Sequence, residues 1–427
     1  MTQRATHAPM RVLVHDYSGH PFQAELSRAL ACRGHDVLHV HCESYQTGKG
    51  ALQANADDPP SLSFKGIVLG RTFDRYAPAR RLKQELDYGR QFNRLAASYR
   101  PEVILSSNDP LFSKSRAALW CRRTGTPWVF WLQDIYSFAM GRYAERRVRG
   151  PAGAVIASGF RAIERRLLHD AQAVIMITPD FKPTLREWAV PEERCHVIEN
   201  WAPLAELQPG PKDNAWSREH HLADATTFLY SGTLGLKHDP EPLIALAERY
   251  ASRPDVRVVV VSEGKGAEWL RDQRARRGVP NLILLPYQPY ERLAEVFASA
   301  DVLVGLLSIH AGGFSVPSKI LSYLCAGRPI LAILPSQNLA VRTIEEAEAG
   351  IVVPPDDLEA FFVAADELLA DPEQRRRLGA NARTHAELRF NIDTIAADFE
   401  SILAAASRRQ ARPCEVPASS NRKGSTT

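Results

Sequence analysis

The sequence predicts an α/β protein with two parallel-sheet domains in series. The chain has 427 residues, and a single hydrophobic core rarely serves more than about 250–300 residues. Short β-branched runs alternate with amphipathic helical patterns, and this alternation occurs twice. Such alternation is typical of parallel sheets that helices cover on both faces. Between the two series, prolines cluster in residues 203–214 and the apolar periodicity stops, which indicates a linker.

The apolar runs predict the strands one by one. In the first half they fall at 10–16, 36–42, 102–106, 128–132, 171–178 and 196–199, with helical periodicity between them, as in 22–33. In the second half they fall at 226–231, 256–262, 281–285, 301–306, 329–334 and 350–353. We therefore assign residues 1–205 to the first domain and 206–391 to the second. Residues 392–407 form a last helical region that could cross back over the first domain, and the polar residues 408–427 are expected to be a disordered tail.

Composition excludes several classes of protein. Hydrophobic residues make up 45% and charged residues 24%, which is ordinary for a globular chain. No apolar run reaches the roughly 18 residues of a membrane span, and the first residues lack the apolar region of a secretory signal. The six cysteines show neither C-x-x-C pairs nor zinc-ligand spacing, which favours free thiols in a reducing cytoplasm. No basic array interleaved with aromatic residues suggests nucleic acid as a partner.

Basic residues are concentrated in the first half of the chain. Residues 71–100 carry eight basic and three acidic side chains, and residues 142–170 carry seven and three. One interpretation is a solvated helical face. The other is a surface for anionic lipid, or for an acceptor that carries phosphate. The sequence leaves both interpretations open.

Ligands of open α/β sheets bind beyond the carboxyl ends of the strands, so the loops there should carry the chemistry. After the first strand, Gly19 allows close backbone approach ahead of a helix N-terminus. After residue 231, the glycines Gly232 and Gly235 precede Lys237, an arrangement that suits a diphosphate. After residue 261, Gly264 could let the chain pass close to a flat ligand such as a nucleobase. Each of these loops could equally be an ordinary turn.

The strongest loop signal lies in residues 307–332. Gly312 and Gly313 open a flexible loop, and Ser318 is a good N-cap for a helix predicted at 319–325. A Gly-Gly loop that enters a helix N-terminus, with Ser315, Ser318 and Lys319 nearby, is a phosphate-binding arrangement.

At this point the sequence resembles a known family, the retaining nucleotide-sugar glycosyltransferases of family 4. It is most similar to the bacterial colanic-acid, O-antigen and exopolysaccharide type. The resemblance covers about residues 10–400 and is carried by the segments 25–37, 197–201, 228–244, 298–304, 316–332 and 349–357. It implies the GT-B fold, in which two Rossmann-like domains face each other across a cleft. It also implies that the first domain serves the acceptor and the second binds the nucleotide sugar.

The chain departs from the family pattern at two places. Members usually carry two glutamates separated by seven residues, and Phe314 and Ser322 occupy those positions here. Glu345 or Glu346 could supply an acidic group instead, although both also suit a plain helical face. The arginine of the family's diphosphate-binding pair is replaced by Thr233, while Lys237 remains one residue nearer than the common spacing.

On the acceptor side, related enzymes have an acidic residue followed by an aromatic one in the loop after residue 132. Asp134 and Tyr136 match this pattern in part, so the resemblance makes Asp134 a candidate acceptor-site residue. The alternative is an aspartate that caps the next turn.

The resemblance implies transfer of a sugar from a nucleoside-diphosphate sugar to a hydroxyl with retention of configuration. The acceptor is expected to be a saccharide, lipid-linked and at the membrane, so the cytoplasmic protein would visit that membrane peripherally. Lys237, Lys319 and the Gly312-Gly313 backbone would stabilise the leaving diphosphate. The sequence has no D-x-D triplet, so no metal or other cofactor is expected beside the donor. Two alternatives stay open: a nucleotide-sugar epimerase on the same fold, and a non-catalytic nucleotide-sugar-binding partner.

Overall fold

The computed structural model describes residues 7–45, 49–70, 78–107, 109–148, 150–235, 238–309 and 318–410. Within these residues the chain forms two parallel sheets, one in each half. The first half contains the strands β1 Arg11–Asp16, β2 Asp36–Cys42, β3 Leu62–Ile67, β4 Val103–Ser106, β5 Trp128–Leu132, β6 Ala173–Met176 and β7 Cys195–Val197. Its helices are α1 Pro21–Cys32, α2 Pro78–Tyr99, α3 Leu111–Thr124, α4 Tyr136–Arg147, α5 Pro151–Asp170 and α6 Lys182–Glu187.

The second half repeats this plan with six strands. They are β8 Thr226–Ser231, β9 Val256–Val261, β10 Leu282–Leu285, β11 Val302–Leu306, β12 Ile330–Ile333 and β13 Gly350–Val353. The helices are α7 Ala215–Glu219, α8 Glu241–Arg249, α9 Lys265–Arg277, α10 Leu293–Ala298, α11 Ser318–Cys325, α12 Leu339–Glu346, α13 Leu358–Ala370, α14 Pro372–Arg389 and α15 Ile392–Gln410. Short 3-10 turns lie at Pro179–Phe181, Glu192–Arg194 and Tyr290–Arg292. No described helix combines the length and the apolar character that a membrane crossing requires.

The order of the strands creates a crevice in each sheet. The first sheet runs β3-β2-β1-β4-β5-β6-β7 and the second β10-β9-β8-β11-β12-β13, with every neighbouring pair parallel. The direction of winding reverses between β1 and β4 and again between β8 and β11. Loops diverge from such a switch point at the carboxyl ends of the strands, and ligands bind there. The loops after β1 and after β8 and β11 are therefore the ones to inspect.

The predicted strands agree with the structure except at one edge. The strands at 36–42, 128–132, 226–231 and 350–353 have the predicted bounds, and the other predicted strands differ only at their ends. The prediction missed β3, because its residues LSFKGI are largely exposed and form no continuous apolar run. The helix predicted at 319–325 includes Ser318, so this residue lies in the described helix rather than at its N-cap. Helix α15 continues to Gln410, past the predicted end at 407 and into the predicted tail, the rest of which lies outside the described residues.

Helix α15 returns to the first half of the chain and packs on α1, β4 and β5. Glu400 of this helix is fully buried and forms an ion pair with Arg33. The Nη2 and Nε atoms of Arg33 lie 2.6 Å and 2.7 Å from Oε2 of Glu400. On its other side lies His35, whose Nδ1 accepts the Met10 N–H at 3.2 Å. The ring proton of neutral His35 is therefore on Nε2, which faces Glu400 Oε1 at 3.4 Å. Burial lowers the pKa of His35 although Glu400 opposes the shift, so the ring stays neutral and Arg33 supplies the compensating charge.

We expect Glu400→Ala to lower the free energy of unfolding by about 3–5 kcal/mol, because it leaves the Arg33 guanidinium buried without its carboxylate. Glu373→Ala is the matched control, since Glu373 also pairs with an arginine, Arg376 of α14, but both side chains are exposed. The control should cost less than about 1 kcal/mol. Denaturant titration of the two variants measures the free energy of unfolding. An equal decrease in both variants would contradict the large stabilisation that we assign to the buried Arg33–Glu400 pair.

Candidate functional site

A cleft of about 1560 Å³, its open side included, lies between the two sheets. The first half of the chain lines it with His20, Pro21, Phe22 and Lys49, and the connecting segment contributes Trp201, Ala202 and Pro203. The second half lines it with Ser231, Gly232, Thr233, His238, Val261, Tyr287, Gln288, Tyr290, Leu293, Phe297, Ser318, Lys319 and Ser322. The wall thus comes from the loops after β1, β2, β8 and β10, from the end of β9, and from the helices α10 and α11.

The loop after β1 is shaped by one buried carboxylate. Asp16 accepts the backbone N–H groups of Ser18 at 3.2 Å, Gly19 at 2.9 Å and His20 at 2.7 Å. Burial would raise the pKa of Asp16, but the hydrogen bond from His39, nearby histidine charge and the Gly19 N–H together bring it below its ordinary value. Gly19 has φ +76°, and a Cβ there would meet Leu52 at 2.7 Å. The positive φ favours glycine, whereas the Leu52 Cδ1 atom ends a flexible side chain that could move aside. The turn brings His20 to the cleft wall.

The floor of the cleft is an aromatic cluster around Trp201. Its ring stacks on Trp131 with centroids 5.8 Å apart and meets Phe22 edge-on at 5.5 Å and Phe399 of α15 at 6.1 Å. The indole N–H donates to Glu25 of α1 at 2.7 Å. Burial raises the pKa of Glu25 to about 7 although the indole opposes the shift. The connecting segment is therefore fixed to α1, β5 and α15 at one point.

Lys319 on the opposite wall is held in place by Tyr230 and Gly232. Its Nζ donates to the Tyr230 hydroxyl at 2.6 Å and lies 4.3 Å from the centre of the tyrosine ring. The Tyr230 hydroxyl donates in turn to the Thr233 carbonyl at 3.0 Å. Burial raises the pKa of Tyr230 well above its ordinary value, so the group remains a hydroxyl. A Cβ at Gly232, where φ is +137°, would lie 2.9 Å from the Lys319 Cε, so the lysine passes directly over this glycine.

His238 lies beside the Lys319 ammonium. Its Nε2 is 3.4 Å from Lys319 Nζ, and its Nδ1 accepts the Gly235 N–H at 3.2 Å. The His238 N–H donates to the Gly235 carbonyl at 3.0 Å, so the turn is closed from both sides. Next to this turn, the hydroxyls of Thr233 and Tyr287 are hydrogen-bonded at 2.7 Å.

The structure brings together part of the predicted donor site. The cleft wall includes Gly232, Thr233, Ser318 and Lys319, and Gly19 directly precedes His20 on that wall. Outside the described residues lie Lys237, Gly312, Gly313 and Ser315.

Three predicted residues are not among the described residues that line the cleft. Gly264 has φ +93° at the N-cap of α9 and no atom within 4 Å of a built Cβ, so its role there is to form a turn. Gly266 makes the close approach instead, because a Cβ there would meet the Leu234 carbonyl at 2.8 Å. Glu345 is exposed on α12, and Asp134 lies at the carboxyl end of β5.

Tyr136, the aromatic residue that follows Asp134, is part of a polar group on the first domain. Its hydroxyl is in close hydrogen-bond contact with Arg81, whose Nε donates to Glu85 at 2.7 Å. Burial raises the pKa of Tyr136 to about 12 although the Arg81 charge opposes the shift. Its backbone N–H donates to the buried Glu164 at 2.9 Å, which fixes the start of α4.

The sequence alone did not identify several residues of the wall. In the sequence, Tyr230 and Trp201 look like ordinary strand and turn residues. His238 and Tyr287 lie in or after loops in which the glycines and lysines drew the attention instead. Their roles depend on partners far along the chain, such as Lys319, 89 residues from Tyr230. Only the glycines at 232 and 235 could have drawn attention to His238.

The described part of the wall is suited to an anion. Its lining residues include Lys49, Lys319 and two histidine rings but no carboxylate. Lys49 is held by Glu43, with Nζ 2.8 Å from its carbonyl oxygen and 4.0 Å from its carboxylate. Within the described residues, no group of three or more histidine, cysteine, aspartate or glutamate side chains could hold a metal ion.

Two families match the two halves of the chain. Residues 19–201 match the family described as Glycosyl transferase 4-like domain, and residues 213–385 match Glycosyl transferases group 1. The chain is a glycosyltransferase. This confirms the family and the activity that the sequence predicts, and the matched families give no support to an epimerase.

Known relatives and solved structures agree with this assignment. The glycosyltransferase is 25% identical over 307 residues to WcaI of Escherichia coli (strain K12), which is named for colanic acid biosynthesis. The aligned region covers 70% of this chain and 73% of WcaI. It is 26% identical over 311 residues to a D-inositol 3-phosphate glycosyltransferase of Thermobispora bispora, and the aligned region covers 70% of this chain and 69% of that enzyme. The solved structure of sucrose-phosphate synthase from Thermosynechococcus elongatus superposes with a TM-score of 0.70 at 19% identity, and the match covers 94% of this chain and 100% of that one. Anabaena HepE, solved with UDP and glucose, has a TM-score of 0.68 at 15% identity, with 93% and 100% coverage. These likenesses confirm the GT-B fold.

Proposed function

We propose that this glycosyltransferase binds a nucleoside-diphosphate sugar in the cleft and transfers the sugar to a hydroxyl of a saccharide acceptor, with retention of configuration and without a metal ion. The observation that carries the proposal is the placement of Lys319. Its ammonium is positioned on the cleft wall by Tyr230 and Gly232, in the first turn of α11. A fixed cation beside a helix N-terminus is suited to a phosphate group.

The chemistry explains why a fixed cation would accelerate the reaction. As the bond from the sugar to the diphosphate breaks, the sugar becomes oxocarbenium-like and negative charge grows on the leaving diphosphate. A positive group that is already in place stabilises this charge more in the transition state than in the ground state. The hydrogen bond from Lys319 to Tyr230 reduces the freedom of the lysine side chain before the donor arrives.

The similar proteins support the class of substrate. Anabaena HepE was solved in complex with UDP-glucose, and WaaG, another GT-B structure, is named for lipopolysaccharide biosynthesis. WcaI is named for colanic acid biosynthesis. We therefore propose a role in the assembly of a cell-surface polysaccharide, with a lipid-linked saccharide as the acceptor.

The proposal is tested by incubating the protein with a panel of nucleotide sugars and a membrane extract that contains lipid-linked saccharides, with and without EDTA. We expect nucleoside diphosphate release and a glycosylated lipid, both unaffected by EDTA, with the donor's anomeric configuration kept in the product. Loss of activity on chelation, restored by magnesium or manganese, would contradict the metal-free mechanism. Isomerised donor without transfer would indicate an epimerase, and binding without any turnover would indicate a non-catalytic partner.

We expect Lys319→Ala to lower turnover roughly ten- to a hundredfold, because one charge-assisted contact to the diphosphate contributes about 1.5–3 kcal/mol. Lys182→Ala is the matched control, since Lys182 is exposed on α6 and does not line the cleft. The control should keep normal turnover. We expect a similar loss for Lys237→Ala, from the sequence prediction alone. Normal turnover in Lys319→Ala would exclude the assigned diphosphate site.

The same glycosyltransferase has a cationic surface on α2 that suits a membrane. Arg80, Lys83, Arg90 and Arg94 are exposed along a groove of this helix, where Asp87 is the one acidic lining residue. Asp87 Oδ1 accepts from Arg90 at 2.8 Å, so the net charge of the described groove stays positive. We propose that this surface, together with the arginines of α4 and α5, holds the enzyme peripherally on an anionic leaflet. Each basic residue near such a leaflet contributes about 1 kcal/mol.

We expect sedimentation with anionic vesicles at low salt and much less at high salt, because ions screen the attraction. Reversal of the four α2 charges (R80E, K83E, R90E, R94E) should abolish most of the binding, and the set R146E, R147E, R165E, R166E should weaken it. The matched control reverses four exposed arginines of the second domain: R271E, R274E, R276E and R377E. Equal binding to neutral and anionic vesicles, unaffected by salt or by these variants, would leave only the solvated-face interpretation.

A further inference from the structure

Two hydrogen-bond donors converge on one point of the cleft wall. His238 Nδ1 accepts the Gly235 N–H at 3.2 Å, and this hydrogen bond requires the neutral ring with its proton on Nε2. That Nε2 is 3.4 Å from the Nζ of Lys319, which is itself a donor. Both residues line the cleft. Two donors at this separation can both reach one anionic acceptor.

We propose that the Nε2–H of His238 and the ammonium of Lys319 bind the same phosphate oxygen of the donor's diphosphate. This inference rests on the proposed function, and it assigns to His238 a direct contact with the substrate. An oxygen that carries negative charge would accept a charge-assisted hydrogen bond from each of the two donors. The pair lies beyond the carboxyl end of β8, at the switch point of the second sheet, where an anionic ligand is expected.

The surroundings of His238 prepare the ring for this contact. Gly235 and His238 are joined by two hydrogen bonds, from the His238 N–H to the Gly235 carbonyl at 3.0 Å and from the Gly235 N–H to Nδ1. The second bond fixes both the tautomer and the direction of the ring. Lys319 is fixed independently by Tyr230. Neither donor has to be reoriented when the diphosphate binds, which lowers the entropic cost of binding.

If His238 had only a structural role, that role would depend on Nδ1, which accepts the Gly235 N–H, and not on Nε2. Closure of the turn depends on Nδ1, whereas contact with the diphosphate depends on Nε2. Asparagine places its amide near the position of Nδ1 and leaves the position of Nε2 empty. Glutamine is one methylene longer and can bring its amide NH₂ close to the position of Nε2. The substitutions His238→Asn and His238→Gln therefore separate the two roles.

The experiment measures the affinity of the wild type, H238N, H238Q and H238A for UDP, GDP and ADP by calorimetry. The affinities for uridine, guanosine and adenosine, which lack phosphate, are measured by NMR titration. For the diphosphate that the wild type binds, we expect H238N and H238A to bind roughly tenfold more weakly, with the matching nucleoside unaffected. H238Q should recover most of the lost affinity. Thermal melts of the variants check that the fold is kept.

The outcomes separate this inference from the proposed function. Wild-type diphosphate affinity in H238N, or an equal loss for diphosphate and nucleoside, would show that His238 acts only on the turn and would overturn the inference alone. If H238N kept the affinity for the diphosphate and H238Q did not, the inference would also be overturned, because Nδ1 rather than Nε2 would then be the nitrogen that matters. A wild-type protein that binds none of the nucleoside diphosphates would overturn the proposed function, and this inference with it.

Discussion

The architecture depends on the aromatic contact between Trp201 and the rings around it. Trp201 stands where the chain leaves the first sheet, and it touches Trp131 of β5, Phe22 of α1 and Phe399 of α15. Large rings bury much apolar area and have few rotamers, so they can fix distant segments at little entropic cost. Because Phe22 and Trp201 also line the cleft, the packing that joins α15 and the connecting segment to the first domain also shapes the binding surface. Stability and site geometry are therefore coupled at this point.

The two walls of the cleft are built by different means. On the first domain, the buried Asp16 carboxylate gathers three backbone N–H groups and forces a glycine-dependent turn. On the second, side chains hold one another: the Tyr230 hydroxyl fixes Lys319, and the ring of His238 closes its own turn. In both cases a polar group is satisfied inside the protein before a ligand arrives. Such preorganisation is what an enzyme needs when the charge to be stabilised appears only as a bond breaks.

The sequence predicted the fold better than the site, for physical reasons. Central parallel strands are buried on both faces, so β5 and β12 appear as continuous apolar runs. The edge strand β3 is exposed and gives no such signal. Glycines and lysines in loops indicated where phosphate could bind, and Gly232 and Lys319 do meet in space. The sequence could not show that Tyr230 orients this lysine or that Glu345 lies on an exposed helix face, because those facts depend on how distant segments pack. Gly264 shows the same limit, since a glycine may be required by its own φ angle rather than by a ligand.

The return of α15 has a consequence for the order in which the protein can fold during synthesis. The partners Arg33 and Glu400 are 367 residues apart, whereas the second sheet is formed by one continuous stretch of chain. A ribosome releases residues from the N-terminus onward, and domains generally fold as units as they emerge. The second domain can therefore be complete while the first still lacks α15, although the first was synthesised earlier. Until Glu400 emerges, the Arg33 charge must remain hydrated and the apolar surface beneath α15 uncovered. Translation of the last helix, rather than of the first sheet, completes the N-terminal domain.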